Sequence, residues 1–418
     1  MLDKVGNDNS SYNRDNIEMI KNASPAVGAL IEKEYLRQSN NIELIASENY
    51  CSEAVLAACG SCLSWKYAEG YPTNRYSGSE TRYYGGTEFV DQLEEYCCDK
   101  WREVFGTDYH VNVQPHSGSQ ANFAAYKAFL EPGDTILAMT LDNGGHLTHG
   151  SSVNFSGKLY NMEFYDVDER GFIDMDDVRK KAEELKPDMI LAGASAYSRT
   201  LDFEAFADIA KSVGAVFMVD MAHIAGLVAA GEHPSPFGLA DVVTTTTHKT
   251  LRGPRGGMIF ARKDKAKKVD SAVFPYAQGG PLEHIIAGKA ICAEEACRPE
   301  FKEYIHQVVL NSKACSDEFT RLGYHVVTGG TDNHVFLLDL SDHAFTGRDL
   351  QERLDTVGIT LNKNAIPGDK RSPRQTSGVR IGTPPMTTRG FVEDDFRKVA
   401  GRIDEVIREL DAEFAEKK

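Results

Sequence analysis

The sequence predicts an α/β fold: a mainly parallel sheet with helices on both faces, followed by a smaller α+β domain. In the middle of the chain, short apolar segments alternate with amphipathic ones. Strands are predicted near Glu163–Val167, Met189–Ala192, Ala215–Val219, Asp241–Thr245 and Met258–Ala261, and helices near Met175–Leu185 and Phe203–Val213. The length of 418 residues is too great for one small domain and favours two or three.

The remaining elements follow from periodicity. Apolar residues recur with helical spacing from Asp15 to Arg37, with a break near Pro25, and Glu88–Phe105 is amphipathic. A long helical stretch from Pro281 to Leu322 is interrupted near Pro299. Beyond it we predict the strands His334–Leu340, Ile359–Leu361 and Gly378–Ile381, the helix Arg348–Val357 and a final helix from Glu393. These patterns predict an N-terminal helical arm over residues 1–50, a large α/β domain over 51–298 and a C-terminal α+β domain over 299–418.

A lysine follows one of the predicted strands, at the start of a turn rich in glycine and proline. Residues 244–257 read Thr-Thr-Thr-Thr-His-Lys-Thr-Leu-Arg-Gly-Pro-Arg-Gly-Gly. Lys249 therefore lies where open α/β sheets place their ligands, and it could form a Schiff base with a carbonyl cofactor. A solvent-facing lysine is the alternative, which the local sequence alone does not exclude.

An aspartate ends another apolar strand, Ala215–Val219. Burying Asp220 is unfavourable unless it meets a cation. Pyridoxal phosphate supplies one, because its ring nitrogen must stay protonated for the ring to accept electrons. An aspartate after one strand and a lysine after a later strand are the two anchors that this cofactor needs. The alternative for Asp220 is an N-cap of the following helix.

A small-residue loop precedes the predicted helix Gln120–Leu130. The short strand Val111–Val113 leads into His116-Ser117-Gly118-Ser119. Free amide groups and the helix dipole make such an arrangement an anion cradle, so this loop is predicted to hold the cofactor phosphate. Small residues also precede many helices only as caps, which is the alternative here.

Six motifs together resemble the serine hydroxymethyltransferase (glycine hydroxymethyltransferase) family of fold-type I pyridoxal-phosphate enzymes. The motifs are Glu-Leu-Ile-Ala-Ser-Glu-Asn at 43–49, Lys-Tyr-Ala-Glu-Gly-Tyr-Pro at 66–72, Gln-Pro-His-Ser-Gly-Ser-Gln-Ala-Asn at 114–122, Gly-Gly-His-Leu-Thr-His-Gly at 144–150, Val-Asp-Met-Ala-His at 219–223 and Thr-Thr-Thr-Thr-His-Lys-Thr-Leu at 244–251. The resemblance runs from about residue 30 to the C-terminus. It implies a seven-stranded type of sheet and transfer of the serine hydroxymethyl group to tetrahydrofolate, giving glycine.

The resemblance also implies a role for individual residues. The implied catalytic residues are Lys249, Glu69, His146, Asp220, Thr246 and His248. The implied cofactor contacts are Ser117, Gly118, Ser119, His146, Ser195, Asp220, His223 and Lys249, with Tyr67 and Gly280 reaching a partner subunit's cofactor. Glu69 is implied to move the proton of the substrate hydroxyl in the partner subunit's site. The implied substrate contacts are Ser47, Tyr67, Glu69, Tyr84 and Arg380, and the implied folate contacts are Leu141, Gly145, Leu147 and Asn364. His146 is expected to stack on the cofactor ring, and His149 is expected to be structural.

Arg380 also stands out without the resemblance, because it lies inside the apolar run Val379–Ile381. A buried arginine needs an anionic partner, and bidentate capture of an amino-acid carboxylate fits that need. A structural ion pair is the alternative. The sequence departs from the family pattern by the insertion 75–81 and by Tyr276, where a glycine is usual.

Composition limits the partners. Lysine and arginine number 46 against 62 aspartate and glutamate, a net charge of −16 that disfavours nucleic-acid binding. No segment reads as a membrane span or signal peptide. The eight scattered cysteines suggest reduced thiols in a cytoplasmic enzyme. Cys59 and Cys62 lack a second pair, and the histidines of Asp142–Gly150 lack matching ligands, so we expect no metal.

Active sites shared between subunits would require a homodimer, or a larger assembly such as a tetramer. Three other functions stay open from the sequence. A threonine aldolase or an α-methylserine enzyme could use the same scaffold, with the insertion 75–81 as the reason to consider it. An aminotransferase would show little folate-dependent exchange. A non-catalytic RNA-binding or scaffold protein is opposed by Lys249, Asp220, Arg380 and the acidic charge.

Overall fold

A computed structural model describes residues 10–72 and 82–416 of the chain. The chain divides into two compact units: Ser47–His306, and Met1–Ala46 together with Gln307–Lys418. We call them the large unit and the small unit. The division into segments 1–50, 51–298 and 299–418 stays a prediction.

Within the described residues there are fifteen α-helices. They are α1 (Ser11–Ala23), α2 (Pro25–Asn40), α3 (Glu53–Cys59), α4 (Glu88–Phe105), α5 (Gly118–Phe129), α6 (Phe155–Leu159), α7 (Met175–Leu185), α8 (Phe203–Val213), α9 (Ala225–Ala230), α10 (Ala266–Ser271), α11 (Glu283–Ala296), α12 (Pro299–Arg321), α13 (Gly347–Thr356), α14 (Pro384–Thr388) and α15 (Glu393–Glu416). None of these helices is long and apolar enough to cross a membrane.

The same part of the chain contains thirteen β-strands. They are β1 (Ile42–Glu43), β2 (His110–Asn112), β3 (Thr135–Met139), β4 (Asn161–Tyr165), β5 (Met189–Ala192), β6 (Val216–Asp220), β7 (Val242–Thr246), β8 (Gly257–Ala261), β9 (His325–Val326), β10 (Val335–Asp339), β11 (Ile359–Thr360), β12 (Asn362–Asn364) and β13 (Gly378–Gly382).

A seven-stranded sheet forms the centre of the large unit, in the order β2-β8-β7-β6-β5-β3-β4. Strands β3 to β7 pair in parallel, and only β8 runs antiparallel to its neighbours within this sheet. The parallel core and the seven strands confirm the predicted fold class. Strand β3 is absent from the sequence-based prediction, because a five-residue apolar run carries no periodicity that separates it from a buried helical segment.

Helices cover both faces of this sheet, as predicted. Met218 lies in one apolar cluster with Ala121 and Tyr126 of α5. Its neighbour Phe217 points to the opposite face, because strand side chains alternate. There Phe217 stacks on Phe206 of α8, with ring centroids 6.3 Å apart. The sheet is therefore buried on both sides, and its ligand-binding surface is restricted to the strand ends.

The small unit contains a four-stranded antiparallel sheet in the order β12-β13-β10-β9. A separate parallel pair joins β1 to β11. Apolar residues of β10 and β13, among them Phe336 and Ile381, pack against Phe396 and Ile403 of α15. The helices and strands predicted for the C-terminal segment are all present, with limits shifted by at most one or two residues.

Candidate active site

Three parallel strands of the large unit bring the predicted anchors to one edge of the sheet. Strands β5, β6 and β7 are neighbours, and Asp220 pairs with Thr244 across β6 and β7. Asp220 is the last residue of β6, Ser195 follows β5 by three residues, and Lys249 follows β7 by three residues. Because the carboxyl ends of parallel strands meet at the same edge, these side chains belong to one site.

Lys249 lies in a tightly bonded loop and is only 8% exposed. Thr247 donates its amide to the carbonyl of Gly256 and its hydroxyl to the carbonyl of Pro254, which closes the loop. On the other side, the Thr250 hydroxyl donates to the carbonyl of His223 at 3.0 Å. The solvent-facing alternative is wrong, because Lys249 is buried. The flanking bonds fix its backbone.

Asn49 holds the same loop from a distant part of the sequence. Its Nδ2 donates to the Lys249 carbonyl at 2.9 Å and to the Tyr304 hydroxyl at 2.8 Å. Asn49 belongs to the motif 43–49, in which the sequence pointed only to Ser47. Ser47 is half-buried. Membership of a motif was the only signal that could have identified Asn49.

Asp220 accepts three hydrogen bonds. Its Oδ2 accepts from His149 Nε2 at 3.0 Å and from Asn122 Nδ2 at 2.9 Å, and its Oδ1 accepts from the amide of Ala222 at 3.0 Å. Burial opposes its ionisation, but the bonds from His149 and Asn122 outweigh burial and hold the pKa of Asp220 well below its usual range. The N-cap alternative is wrong, because the next helix, α9, is capped at Ile224.

The hydrogen bonds also assign the tautomers of two histidines. The Nδ1 of His149 accepts the His146 amide at 3.2 Å, so its proton lies on Nε2, which donates to Asp220. The Nδ1 of His146 accepts the Thr148 amide and lies 2.7 Å from the Thr148 hydroxyl. That hydroxyl in turn accepts from Asn122 Nδ2. His149 was expected to be only structural, yet it contacts the central carboxylate directly.

The predicted anion cradle opens α5. Ser117 is its N-cap, and its hydroxyl accepts the amide of Gln120 at 3.2 Å. A Cβ atom at Gly118 would lie 2.6 Å from Thr246 Cγ2, so only glycine allows the helix start to approach β7 this closely. Ser119 is exposed. The cap alternative is met at Ser117. Capping leaves other first-turn amides of α5 available, so the phosphate cradle stays a prediction.

Lys289 contacts the segment that leads into this cradle, and it was not identified from the sequence. Its Nζ donates to the carbonyls of Val113 at 2.7 Å, Pro115 at 3.1 Å and Gly257 at 2.8 Å. Burial lowers the pKa of Lys289 to about 8. Only the ammonium form has the three N–H groups that these carbonyls require. Lys289 therefore places a buried positive charge beside the residues that lead into the cradle. Nothing in the sequence pattern of its helix distinguishes this lysine, so it was missed.

Polar atoms without partners lie around the end of β7. Across residues 10–72 and 82–416, the Thr246 hydroxyl, His248 Nδ1 and His116 Nε2 are buried and have no hydrogen-bond partner. Burial and the nearby cations of Arg255 and Lys249 lower the pKa of His248 to about 3, so His248 is neutral. With a carboxylate, a lysine and a helix start at the same edge, these atoms fit the ring and the phosphate of pyridoxal phosphate.

The loop that follows β3 carries three of the predicted folate contacts. Leu141 and Leu147 are each 47% exposed, next to the glycines that precede His146. The amides of Ser195 and Ala196 donate to the carbonyl of Gly144 at 2.7 Å and 3.2 Å. Gly145 lies in the same loop, so this segment offers two exposed leucines beside His146.

One cluster at the surface contains four of the predicted site residues, Tyr67, Glu69, Tyr84 and Gly280. The Tyr67 hydroxyl lies 3.4 Å from Glu69 Oε1, and the rings of Tyr67 and Tyr84 meet edge to face at 5.1 Å. A Cβ atom at Gly280 would lie 3.2 Å from the ring of Tyr67. Tyr67 is 53% exposed. These residues are gathered at one place on the surface of the large unit.

The small unit holds two further predicted residues. Arg380 lies at the centre of β13 and its Nε donates to Asn362 Oδ1 at 3.0 Å. Burial lowers the pKa of Arg380 to about 10, which leaves it cationic at neutral pH. Asn364 lies in β12, and its side chain donates to the carbonyl of Ala365.

The two departures from the family pattern have different outcomes. The insertion 75–81, on which the rival functions depend, lies outside the described residues. Tyr276, where the family usually has glycine, lies over Phe123 with ring centroids 6.1 Å apart and under the ammonium group of Lys127. Within the described ranges, no group of three or more histidine, cysteine, aspartate or glutamate residues could hold a metal ion.

Comparison with known proteins identifies the family. A family model described as serine hydroxymethyltransferase matches residues 20–403. The chain is 58% identical over 382 residues to a serine hydroxymethyltransferase of Levilactobacillus brevis, covering 91% of each chain. It is 56% identical over 393 residues to a serine hydroxymethyltransferase of Leuconostoc citreum, covering 94% of each. The chain therefore belongs to the serine hydroxymethyltransferase family, as its six motifs predict.

Proposed function

We infer that the chain catalyses the reversible, pyridoxal phosphate-dependent transfer of the serine hydroxymethyl group to tetrahydrofolate, giving glycine and 5,10-methylenetetrahydrofolate. The observation that carries this function is the pair of anchors, Asp220 and Lys249, at the ends of two neighbouring parallel strands. Family membership supplies the substrates serine, glycine and tetrahydrofolate. The reaction belongs to one-carbon and amino-acid metabolism.

When bound, the cofactor accepts electrons from the bond between the α-carbon and the hydroxymethyl group of serine. The ionised Asp220 would hold the proton on the ring nitrogen, and its three donors keep it in place. Lys249 would hold the cofactor covalently until the amine of serine takes its place, which frees the lysine amine. Thr246 and neutral His248 lie beside Lys249 and would orient it.

The remaining roles follow from the shape and charge of each group. His146 has its Nδ1 bonded to Thr148, which fixes the imidazole plane that we propose stacks on the cofactor ring. Ser117, Gly118, Ser119 and the first-turn amides of α5 would hold the phosphate. Lys289 donates its three N–H groups to backbone carbonyls, so it would contribute only a buried positive charge. Ser195 and His223 are proposed ring contacts. Arg380, cationic and planar, is proposed to bind the serine carboxylate, together with Ser47 and Tyr84.

We propose that two chains share their active sites in a homodimer. Tyr67, Glu69 and Gly280 form a cluster at the surface in which Tyr67 is exposed, as expected of residues that act on a neighbouring subunit. Glu69 would move the hydroxyl proton of serine in the partner's site.

Tetrahydrofolate is proposed to contact Leu141, Gly145, Leu147 and Asn364. The two exposed leucines suit the flat, apolar faces of its rings. None of the eight cysteines, all of which are described, forms a disulfide, which supports a cytoplasmic location.

An assay of serine cleavage with and without tetrahydrofolate tests the proposed reaction. We expect glycine to form rapidly only when tetrahydrofolate is present, because the folate accepts the one-carbon unit. The measurement follows glycine release and the visible absorbance of the cofactor in the same sample. Rapid folate-independent cleavage of threonine, with little serine turnover, would indicate an aldolase instead. Accumulation of the amine form of the cofactor would indicate an aminotransferase.

Mixing two strongly impaired variants tests the shared site. Lys249→Ala should be inactive alone and Glu69→Gln should retain only a trace of activity, because each site then lacks one essential group. In a mixed dimer one site receives both defects and the other receives neither. Equal mixing makes about half of the dimers mixed, so roughly a quarter of the sites should recover activity, as two-fold symmetry requires.

Subunit exchange must be shown independently, for example by mass measurement of dimers that carry one tagged chain. A mixture of Lys249→Ala with Lys249→Ala carrying the tag provides the background. If exchange is complete and activity does not return, Glu69 acts within its own chain and the shared site is wrong.

A further inference from the structure

Arg82 is a buried cation to which the proposed reaction gives no role. Only 1% of its side chain is exposed. A buried arginine is unfavourable unless its N–H groups find acceptors with good geometry. Arg82 makes four hydrogen bonds, two to backbone carbonyls and two to carboxylates, and each pair connects it to a different part of the large unit.

The backbone contacts hold the segment that carries Glu69. Arg82 Nη1 donates to the carbonyl of Ala68 at 2.7 Å and to the carbonyl of Gly70 at 2.8 Å. The carbonyl between them, that of Glu69, accepts the amide of Tyr83 at 2.9 Å. Three successive carbonyl groups are therefore bonded by two successive residues. Ala68 and Gly70 are buried, and the Glu69 side chain between them is half-exposed.

The carboxylate contacts attach the same guanidinium to a long helix. Arg82 Nε donates to Asp91 Oδ1 at 2.7 Å, and Nη2 donates to Glu94 Oε2 at 2.9 Å. Both acidic residues lie in α4, which is eighteen residues long and packs through the buried Trp101. Gln114 adds a second support, because its Nε2 donates to the Gly70 carbonyl at 2.9 Å and to Glu94.

A third carboxyl group lies nearby, on the helix that follows Gly280. Glu283 Oε1 is 3.9 Å from Arg82 Nη2, and both Glu283 oxygens are buried without a hydrogen-bond partner among the described residues. Burial and the neighbouring Glu94 raise the pKa of Glu283 to about 8, so at neutral pH it is mainly uncharged. Arg82 therefore donates to two carboxylate side chains, Asp91 and Glu94, and the geometry of its fork is fixed from both sides.

We propose that Arg82 is a positioning residue for Glu69. It fixes the backbone on both sides of Glu69 and so holds the Glu69 carboxyl group and Tyr67 in one position at the surface. The inference rests on the proposed function of Glu69 in the partner subunit's site. Only arginine can serve, because a lysine ammonium cannot reach two carbonyls and two carboxylates that lie around one planar group. A shift of about 1 Å in a group that moves a proton can cost roughly hundredfold in rate.

The test compares Arg82→Lys, which keeps the charge but loses the fork, with Arg102→Lys as a matched control. Arg102 lies on α4, the helix that Arg82 contacts, but it pairs with Asp99 at the surface. In the holoenzyme, Arg82→Lys should retain the cofactor and its visible band while kcat falls roughly tenfold to hundredfold and KM for serine changes little. Hydrogen exchange over residues 66–72 should become faster in Arg82→Lys and stay unchanged in Arg102→Lys.

A double-mutant cycle separates positioning from general stability. If Arg82 acts through Glu69, the Arg82→Lys/Glu69→Gln double variant should be no slower than Glu69→Gln alone. Losses that multiply would overturn the inference, as would an unchanged kcat in Arg82→Lys. Full activity of Glu69→Gln would instead refute the proposed function of Glu69, and the exchange measurement would still report whether Arg82 orders residues 66–72.

A second variant covers the case in which Arg82→Lys does not fold. Glu94→Gln keeps the shape of the side chain but weakens the charge-assisted bond to Arg82 and leaves Asp91 in place. Glu94→Gln should lower kcat by a smaller factor than Arg82→Lys does. This loss should also vanish when Glu69 is already glutamine. A loss in Glu94→Gln that persists in the double variant would contradict the positioning role.

Discussion

Replacement of Lys249 with alanine is expected to abolish turnover together with the visible absorbance band of the bound cofactor. Lys249 is buried at the end of β7, where its backbone is held by bonds from Asn49 and by the closed loop Thr247–Gly256. Alanine leaves that backbone intact, because the bond from Asn49 goes to the carbonyl of residue 249. The variant should therefore fold normally and lose only the amine that holds the cofactor.

The measurement is an absorbance spectrum of the purified variant, together with its rate of glycine formation from serine. Lys267→Ala provides the control, because Lys267 is exposed on α10. Cofactor can still bind through the cradle at the start of α5, so its content should fall less than the activity. A Lys249→Ala protein that keeps the wild-type visible band would show that another group holds the cofactor.

The two anchors were predictable because each interrupts a simple local pattern. Asp220 and Lys249 are charged residues that follow apolar strands, and the edge rule for parallel sheets brings such residues together without knowledge of the loops. The strand β8 that turns antiparallel leaves this edge unaffected, since β5, β6 and β7 are parallel neighbours. Periodicity therefore gave both the layer architecture and the place of the site.

The residues that support these anchors were not predictable from local patterns. His149 and Asn122 lie 71 and 98 positions from Asp220, and both reach its Oδ2. The roles of Arg82 and Lys289 depend on hydrogen bonds to other segments of the chain, and both residues donate to backbone carbonyls there. Such bonds depend on the three-dimensional path of the chain, while hydrophobic periodicity reports only which face of an element is buried.

Replacement of Asp220 with asparagine is expected to lower kcat severely while the fold is retained. The wild-type carboxylate accepts from His149 and Asn122 on Oδ2 and from the Ala222 amide on Oδ1. Asparagine has one acceptor oxygen and one NH₂ group, so at least one of these donors would face another donor. An unsatisfied buried donor costs about 1–3 kcal/mol, and the variant should be destabilised by an amount in this range.

The catalytic loss has a separate cause. A neutral amide cannot hold the ring proton of the cofactor as a carboxylate does, and a charge-assisted bond of about 1.5–3 kcal/mol corresponds to roughly tenfold to hundredfold in rate. The rate of serine cleavage with tetrahydrofolate measures this catalytic loss in Asp220→Asn. Asp241→Asn is the control. Asp241 lies just before β7, at the end of the parallel strands opposite to Asp220, and accepts the Phe217 amide.

The pH dependence of stability gives an independent check on Asp220. Its pKa is depressed in the folded protein, so the carboxylate contributes stability above its ordinary pKa of about 3.9, and this contribution is lost as the pH falls through the folded value. Denaturant unfolding of the cofactor-free proteins should therefore show a smaller acid-induced loss in Asp220→Asn than in the wild type below pH ~4. Equal acid sensitivity with near-normal turnover would mean that Asp220 acts only as a local backbone cap through Ala222.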